Sequence, residues 1–279
     1  MNPLKCPLCG HPIHTEDGTC PNHRTNEDIP FPNPDDFLIS SRKSPDYAFT
    51  DFKPQDFWMG SLETETGRDA DERYHLVRLS RNFCIGNTEV SQDLYRAIMR
   101  HNPSGFIGDH RPVEQVSWYD AIAFCNSYSI YHQRKPAYEL DPRHPNVVYW
   151  NRESNGYRLP TEAEWELAAK KALGKAEPGS QAWYADSAQL ETHGVGQWHK
   201  RGLSDMSGNV WEWCWDIYGP YPLEEPSIDP SGPTTGLYRV ARGGSWADEA
   251  RIIRPANRAE SPPDRKSSSI GFRIAYTNI

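Results

Sequence analysis

Four residues near the start of the chain have the types and spacing of a metal site. Cys6 and Cys9 form a CxxC knuckle, and Cys20 and His23 form a CxxH knuckle after a ten-residue loop. Three thiolates and one imidazole in two pairs are the ligand set of a closed tetrahedral Zn2+ site. Gly10 and Gly18 allow the tight turns around it. So short a segment has no core to fold around without metal, so a structural zinc ribbon is expected over residues 1–25. His11 and His14 lie inside the loop and read as surface residues. A second dense stretch, "RGGSWADEARIIRPANRAESPPDRKSSSIGFRIA" over 242–275, places six arginines around Gly243, Gly244 and Trp246.

Residues 26–55 are rich in proline and acidic residues and lack periodicity, which predicts an extended linker that touches the main domain through Phe31, Phe37 and Tyr47. The main domain is expected over 56–279. Short strands are predicted around Phe57–Gly60, Leu76–Leu79 and Phe83–Ile85. Three helices follow. Ser91 precedes the stripe Leu94, Tyr95, Ile98 and Met99. Ser117 and Asp120 frame a helix that buries Trp118, Ala121, Ile122 and Cys125. Thr161 and Glu164 form a capping box ahead of Trp165, Ala168, Ala169 and Ala172. Beyond Gly174 turns and short strands dominate, so the fold class is α+β.

The composition narrows the function classes. The 279 residues carry 38 acidic and 30 basic side chains, a net charge of -8. That balance argues against a broad basic face for nucleic acid. No apolar run reaches the roughly 18 residues that span a bilayer, and the start lacks a signal-like apolar stretch, so a cytoplasmic location without membrane contact is expected. Three of the six cysteines fall in the ribbon, which suits a reducing compartment better than a disulfide framework.

In order, "NTEVSQDLYRAIM", "RPVEQVSWYDAIAFCN", "YRLPTEAEWELAAK", "GLSDMSGNVWEWCWD", "RVARGGSW" and "IGFRIA" resemble the formylglycine-generating enzyme (sulfatase-modifying factor) family. The resemblance implies a C-type-lectin-like fold with little regular secondary structure. It does not fix the chemistry, because that scaffold serves oxidases, sulfoxide synthases, non-catalytic adaptors and variable display proteins.

In the parent enzymes two cysteines after the Gly-Gly-Ser-aromatic motif hold Cu(I), a soft ion that suits thiolates. The matching positions here are Asp248 and Ile253, and no cysteine follows Cys214. Cys84, Cys125 and Cys214 read as buried inert thiols. The iron-dependent branch needs a histidine cluster from an added helical domain, and His75, His101, His110, His132, His144, His193 and His199 are scattered. The resemblance also implies a Ca2+ turn, whose matching residues are Asp205, Gly208, Val210 and Glu212. Hard oxygen ligands with two carboxylates suit that ion.

Within the arginine-rich stretch, Arg242, Arg258 and Arg273 fit positions that tie loops together, and Ile252, Ala256, Ile270 and Phe272 fit packing positions. The polar loops over 247–269 are expected to form a recognition face for a protein or small-molecule ligand. Its residues are Trp246, Asp248, Glu249, Arg251, Ile253, Arg254, Glu260, Ser261, Arg265, Ser267 and Ser268. The expected function is a non-catalytic binding module. One alternative is a metal-dependent oxidase with a non-cysteine site. Another is a variable protein diversified by a retroelement; AAY template codons cannot encode Glu249, Glu260 or Lys266, so that reading requires those positions to be fixed.

Overall fold

The computed structural model describes residues 45–141, 144–174, 176–177, 179–198 and 202–278. The expected zinc ribbon and residues 26–44 of the expected linker lie outside them. Three helices and thirteen strands are described: α1 (Gln92–Met99), α2 (Trp118–Tyr131) and α3 (Glu162–Leu173), with β1 (Phe49–Phe52), β2 (Gln55–Met59), β3 (His75–Leu79), β4 (Phe83–Gly86), β5 (Tyr138–Asp141), β6 (His144–Trp150), β7 (Tyr157–Arg158), β8 (Trp211–Ile217), β9 (Ser227–Ile228), β10 (Arg239–Arg242), β11 (Arg258–Ser261), β12 (Ile270–Gly271) and β13 (Ala275–Thr277).

One antiparallel sheet has the order β1-β4-β13-β7, so strands from both ends of the domain flank β4. β1 lies within the stretch expected as linker, residues 26–55. β1 pairs in full with β4, Phe49 opposite Gly86 through Phe52 opposite Phe83. Tyr47 donates its hydroxyl hydrogen bond to the Thr88 carbonyl. A four-residue strand is too short to show a period, and its partner lies more than thirty positions downstream.

A second sheet, β11-β10-β8-β12, carries the Gly-Gly-Ser-Trp segment at the end of β10. Smaller groups are β2-β3-β9 and the β5-β6 pair. Local caps fix the helices. Ser117 Oγ accepts from the Asp120 N–H while the Asp120 carboxylate accepts from the Ser117 N–H, and Thr161 and Glu164 repeat the arrangement. At α1 the Ser91 hydroxyl instead bonds the Asp93 carboxylate. α2 is buried along most of its length, against Trp213, Phe272 and Ile274. α3 buries Trp165, Ala168 and Ala169 with Met59, Val77 and Cys214.

Candidate functional site

The segment after β10 is held from below by charge. Arg242 is sealed from solvent and donates to Glu162 at 2.8 Å, Glu166 at 2.5 Å and the Pro255 carbonyl at 2.6 Å. Arg258 forks onto Glu162 at 2.6 and 2.9 Å. Burial pushes the Glu162 carboxyl up, but Arg258 and Arg242 outweigh it and hold the group below the usual carboxylate range. The expected loop ties are therefore formed.

Above this base, Gly244 has φ 70° and packs on Ile253, where an added Cβ would stand 2.6 Å from a methyl carbon. Asp248 Oδ2 accepts from the Ser245 N–H at 2.9 Å and its hydroxyl at 2.6 Å. Trp246 is half-buried, meets the edge of Phe106 at 5.3 Å and donates to the Ser268 carbonyl at 3.1 Å. Ala247, Glu249, Ala250 and Arg251 project around it. Phe106 was missed because an isolated aromatic in a loop carries no sequence signal of its role.

The expected face contracts on inspection. Ile253 is buried beneath Gly244. Arg254 is buried too, and donates to Glu72 at 2.6 and 2.9 Å, Glu65 at 2.8 Å and the Gly67 carbonyl. Ser261 is buried on β11 opposite Arg239, and exposed Glu260 lies opposite Val240, at the far end of β10 from Trp246. These four do not join the face. Arg265 is exposed, while Ser267 and Ser268 are half-buried beside Trp246. The Ser267 carbonyl accepts from the backbone N–H of Gln115.

The turn before β8 differs from the expected ligand set. Asp205, Gly208 and Asn209 all have positive φ. Gly208 cannot be replaced freely, since a Cβ would fall 2.1 Å from the Trp183 carbonyl oxygen. Both Glu212 oxygens are engaged. Arg273 donates to them at 2.5 and 2.7 Å and the Trp165 indole at 2.7 Å. Glu212 is thus the counter-ion of a buried arginine rather than an open metal ligand. Among the described residues, the buried carboxyl with both oxygens unbonded is Glu89, which the sequence does not single out. It is fully buried, and neither oxygen accepts a hydrogen bond among the described residues. Burial, then the Asp205 and Glu212 charges, push it well above the ordinary range. A hard cation beside Glu89 and Asp205 would relieve that repulsion. Among the described residues, no group of three or more His, Cys, Asp or Glu side chains stands at metal-ligand spacing.

The described thiols lie elsewhere. Cys84, Cys125 and Cys214 are buried and unpaired. Burial and then the Asp51 contact push Cys84 up to about 11, and burial raises Cys125 and Cys214 as well. Among the histidines, His75 is fully buried; its Nδ1 bonds the Arg73 carbonyl at 2.8 Å, and its Nε2 has no partner among the described residues.

The sequence profile of the sulfatase-modifying factor enzyme 1-like domain matches residues 56–278. The chain belongs to this family. It is 35% identical over 226 residues to the chaperone protein LppX of Paenibacillus barcinonensis, covering 67% of this chain and 76% of that one. It is 38% identical over 166 residues to the formylglycine-generating enzyme of Streptomyces coelicolor, of whose length it spans about half, 53%. In structure it is similar to Treponema denticola variable protein 1, with a TM-score of 0.76, 33% identity, and coverage of 83% and 95% of the two chains. The fold is the C-type-lectin-like one of this family. At the positions where the resemblance places the copper-binding cysteines, the family scaffold here carries an Asp248 that caps Ser245 and an Ile253 that is packed in. No helix of the described residues is long and apolar enough to cross a membrane.

Proposed function

We propose that the chain is a non-catalytic binding module on a formylglycine-generating-enzyme-like scaffold. It recognises a protein or small-molecule ligand through the loops around Trp246. The observation that carries this reading is the state of positions 248 and 253. A carboxylate that caps its own turn and an isoleucine without solvent access offer Cu(I) no soft ligand, while the half-buried pair Trp246 and Phe106 keeps part of its surface for a partner. The module would work in a reducing compartment, the cytoplasm, carrying structural Zn2+ on Cys6, Cys9, Cys20 and His23. Ca2+ near Asp205 would brace the turn beneath the face.

The test pairs a reaction with a contact. The purified chain, loaded with copper, is incubated with a cysteine-containing sulfatase peptide, and a photo-crosslinking amino acid is placed at Ala247 or, as a remote control, at Leu223. No aldehyde should form, and adducts should appear at position 247 and vanish with Trp246→Ala. Turnover of the peptide cysteine, or equal adducts at both positions, would overturn the reading.

A second reading, display of diversified sequence, is favoured by the likeness to the Treponema variable protein. The gene's neighbourhood decides it. A template repeat differing only at adenines supports it, and the lack of one removes it.

A further inference from the structure

At the opposite end of β10 from Trp246, a buried guanidinium has no ion-pair partner among the described residues. Arg239 is only 6% exposed. Its guanidinium carbon lies 3.7 Å from the Trp118 ring centroid and 5.2 Å from that of Trp215. Indole faces attract a cation but satisfy none of its N–H donors. Among the described residues the side chain makes one hydrogen bond, from Nη1 to the Trp215 carbonyl at 2.6 Å.

The other buried arginines are treated differently. Arg158 forks onto Glu164, Arg242 binds Glu162 and Glu166, Arg254 binds Glu72, Arg258 binds Glu162 and Arg273 binds Glu212. Among the described buried arginines, Arg239 alone lacks a carboxylate at ion-pair distance. Its Nε and Nη2 are not among the sealed, unpartnered atoms, so both keep a small contact with solvent. Burial lowers the guanidinium to about 10. The carboxyl that it senses, Asp216, is itself pushed up to about 8 by burial and then by Glu162, and so supplies little charge at neutral pH. Beside Arg239, half-buried Trp215 stacks on Tyr138 at 5.1 Å and meets half-buried Trp150 at 5.4 Å.

We propose that Arg239 anchors a second binding site, separate from the Trp246 face, for a carboxylate carried on a flat apolar group. The carboxylate would take the free Nε and Nη2 donors, and the apolar body would lie against Trp215 and Trp150. The planar fork matches a planar carboxylate in bidentate fashion. A single positive charge in an apolar setting suits a monoanion better than a doubly charged phosphate, whose desolvation it could not offset. An arginine with one carbonyl partner is costly to keep buried, and an incoming carboxylate removes that cost.

Benzoate is the probe, benzamide its neutral control, and the full chain the protein. Saturable quenching of tryptophan fluorescence by benzoate is expected, with benzamide at least about tenfold weaker because it lacks the charge-assisted fork. Arg239→Lys should weaken benzoate binding and Arg239→Gln abolish it while the chain stays folded. Should those variants fail to fold, indole N–H signals of the unaltered chain, assigned through Trp150→Phe and Trp246→Phe, take their place. Benzoate should then move the Trp150 signal and leave Trp246 still. The proposal fails if benzoate does not saturate, if benzamide binds equally, if folded Arg239→Gln binds benzoate unchanged, or if only the Trp246 signal moves. Of these outcomes only the last touches the Trp246 face, and it would favour that face over Arg239.

Discussion

Asp248 Oδ2 receives both the backbone N–H and the hydroxyl of Ser245, at 2.9 and 2.6 Å, so the residue works as a turn cap. Asp248→Ala leaves those two donors to water and should cost about 1–2 kcal/mol of stability, the range for losing a side-chain cap. Asp248→Asn, which keeps an acceptor oxygen, should recover about half of it. Urea unfolding of the three chains measures this; equal midpoints would mean that the cap carries no energy.

Glu212 and Arg273 form a buried pair with no solvent on either side chain. Glu212→Gln leaves the guanidinium without its charge partner and should destabilise the domain by about 3–5 kcal/mol. Adding Arg273→Met to that variant should cost less than the sum of the two single changes by more than about 1 kcal/mol, because the charge that suffered is gone. A double-mutant cycle by chemical unfolding reads the coupling. Strict additivity would show that the pair does not act as one unit.

What the sequence reveals and what it hides follow the range of the interaction. The capping boxes at Ser117 and Thr161 are legible because both halves lie within four residues. Arg242, Arg258 and Arg273 are legible through the family pattern around them. Arg254 is not. In "ARIIRPANRAE" it reads as an exposed loop charge, and the acid that allows its burial, Glu72, lies 182 positions away. β1 escapes for the same reason, since "FTDF" becomes a strand only beside β4. Glu89 and Arg239 are harder still: each is distinguished by the lack of a hydrogen-bonding or acidic partner, and sequence does not record such a lack.

Asp216 makes the stability depend on pH. Burial, and then Glu162, raise its folded-state value to about 8, whereas an unfolded Asp titrates near ~4. Between those limits the folded state holds the extra proton, so stability falls as pH rises from about 4 to about 8 and is level above. Asp216→Asn can still accept the Glu162 N–H and should flatten that slope, leaving the variant more stable than the parent at pH 8. Glu162, held low by its arginines, acts oppositely: its contribution is lost as pH falls below the ordinary carboxylate range. Unfolding midpoints from pH 2 to 9 test both, and parallel curves for parent and variant would remove Asp216 as the cause.

Metal content tests the two remaining sites together. The purified chain should hold one zinc, lost in Cys6→Ser and Cys20→Ser, because each removes one of four ligands from a closed tetrahedral set. Calcium should raise the thermal midpoint over an EDTA-treated sample by about 2–4 °C for each kcal/mol of binding energy. Glu89→Gln separates two causes of that rise. If Ca2+ offsets the repulsion among Glu89, Asp205 and Glu212, removing one charge should stabilise the calcium-free chain while shrinking the calcium response. If Glu89 is simply a protonated core group, the substitution should change neither, and the cation would have no role at this turn.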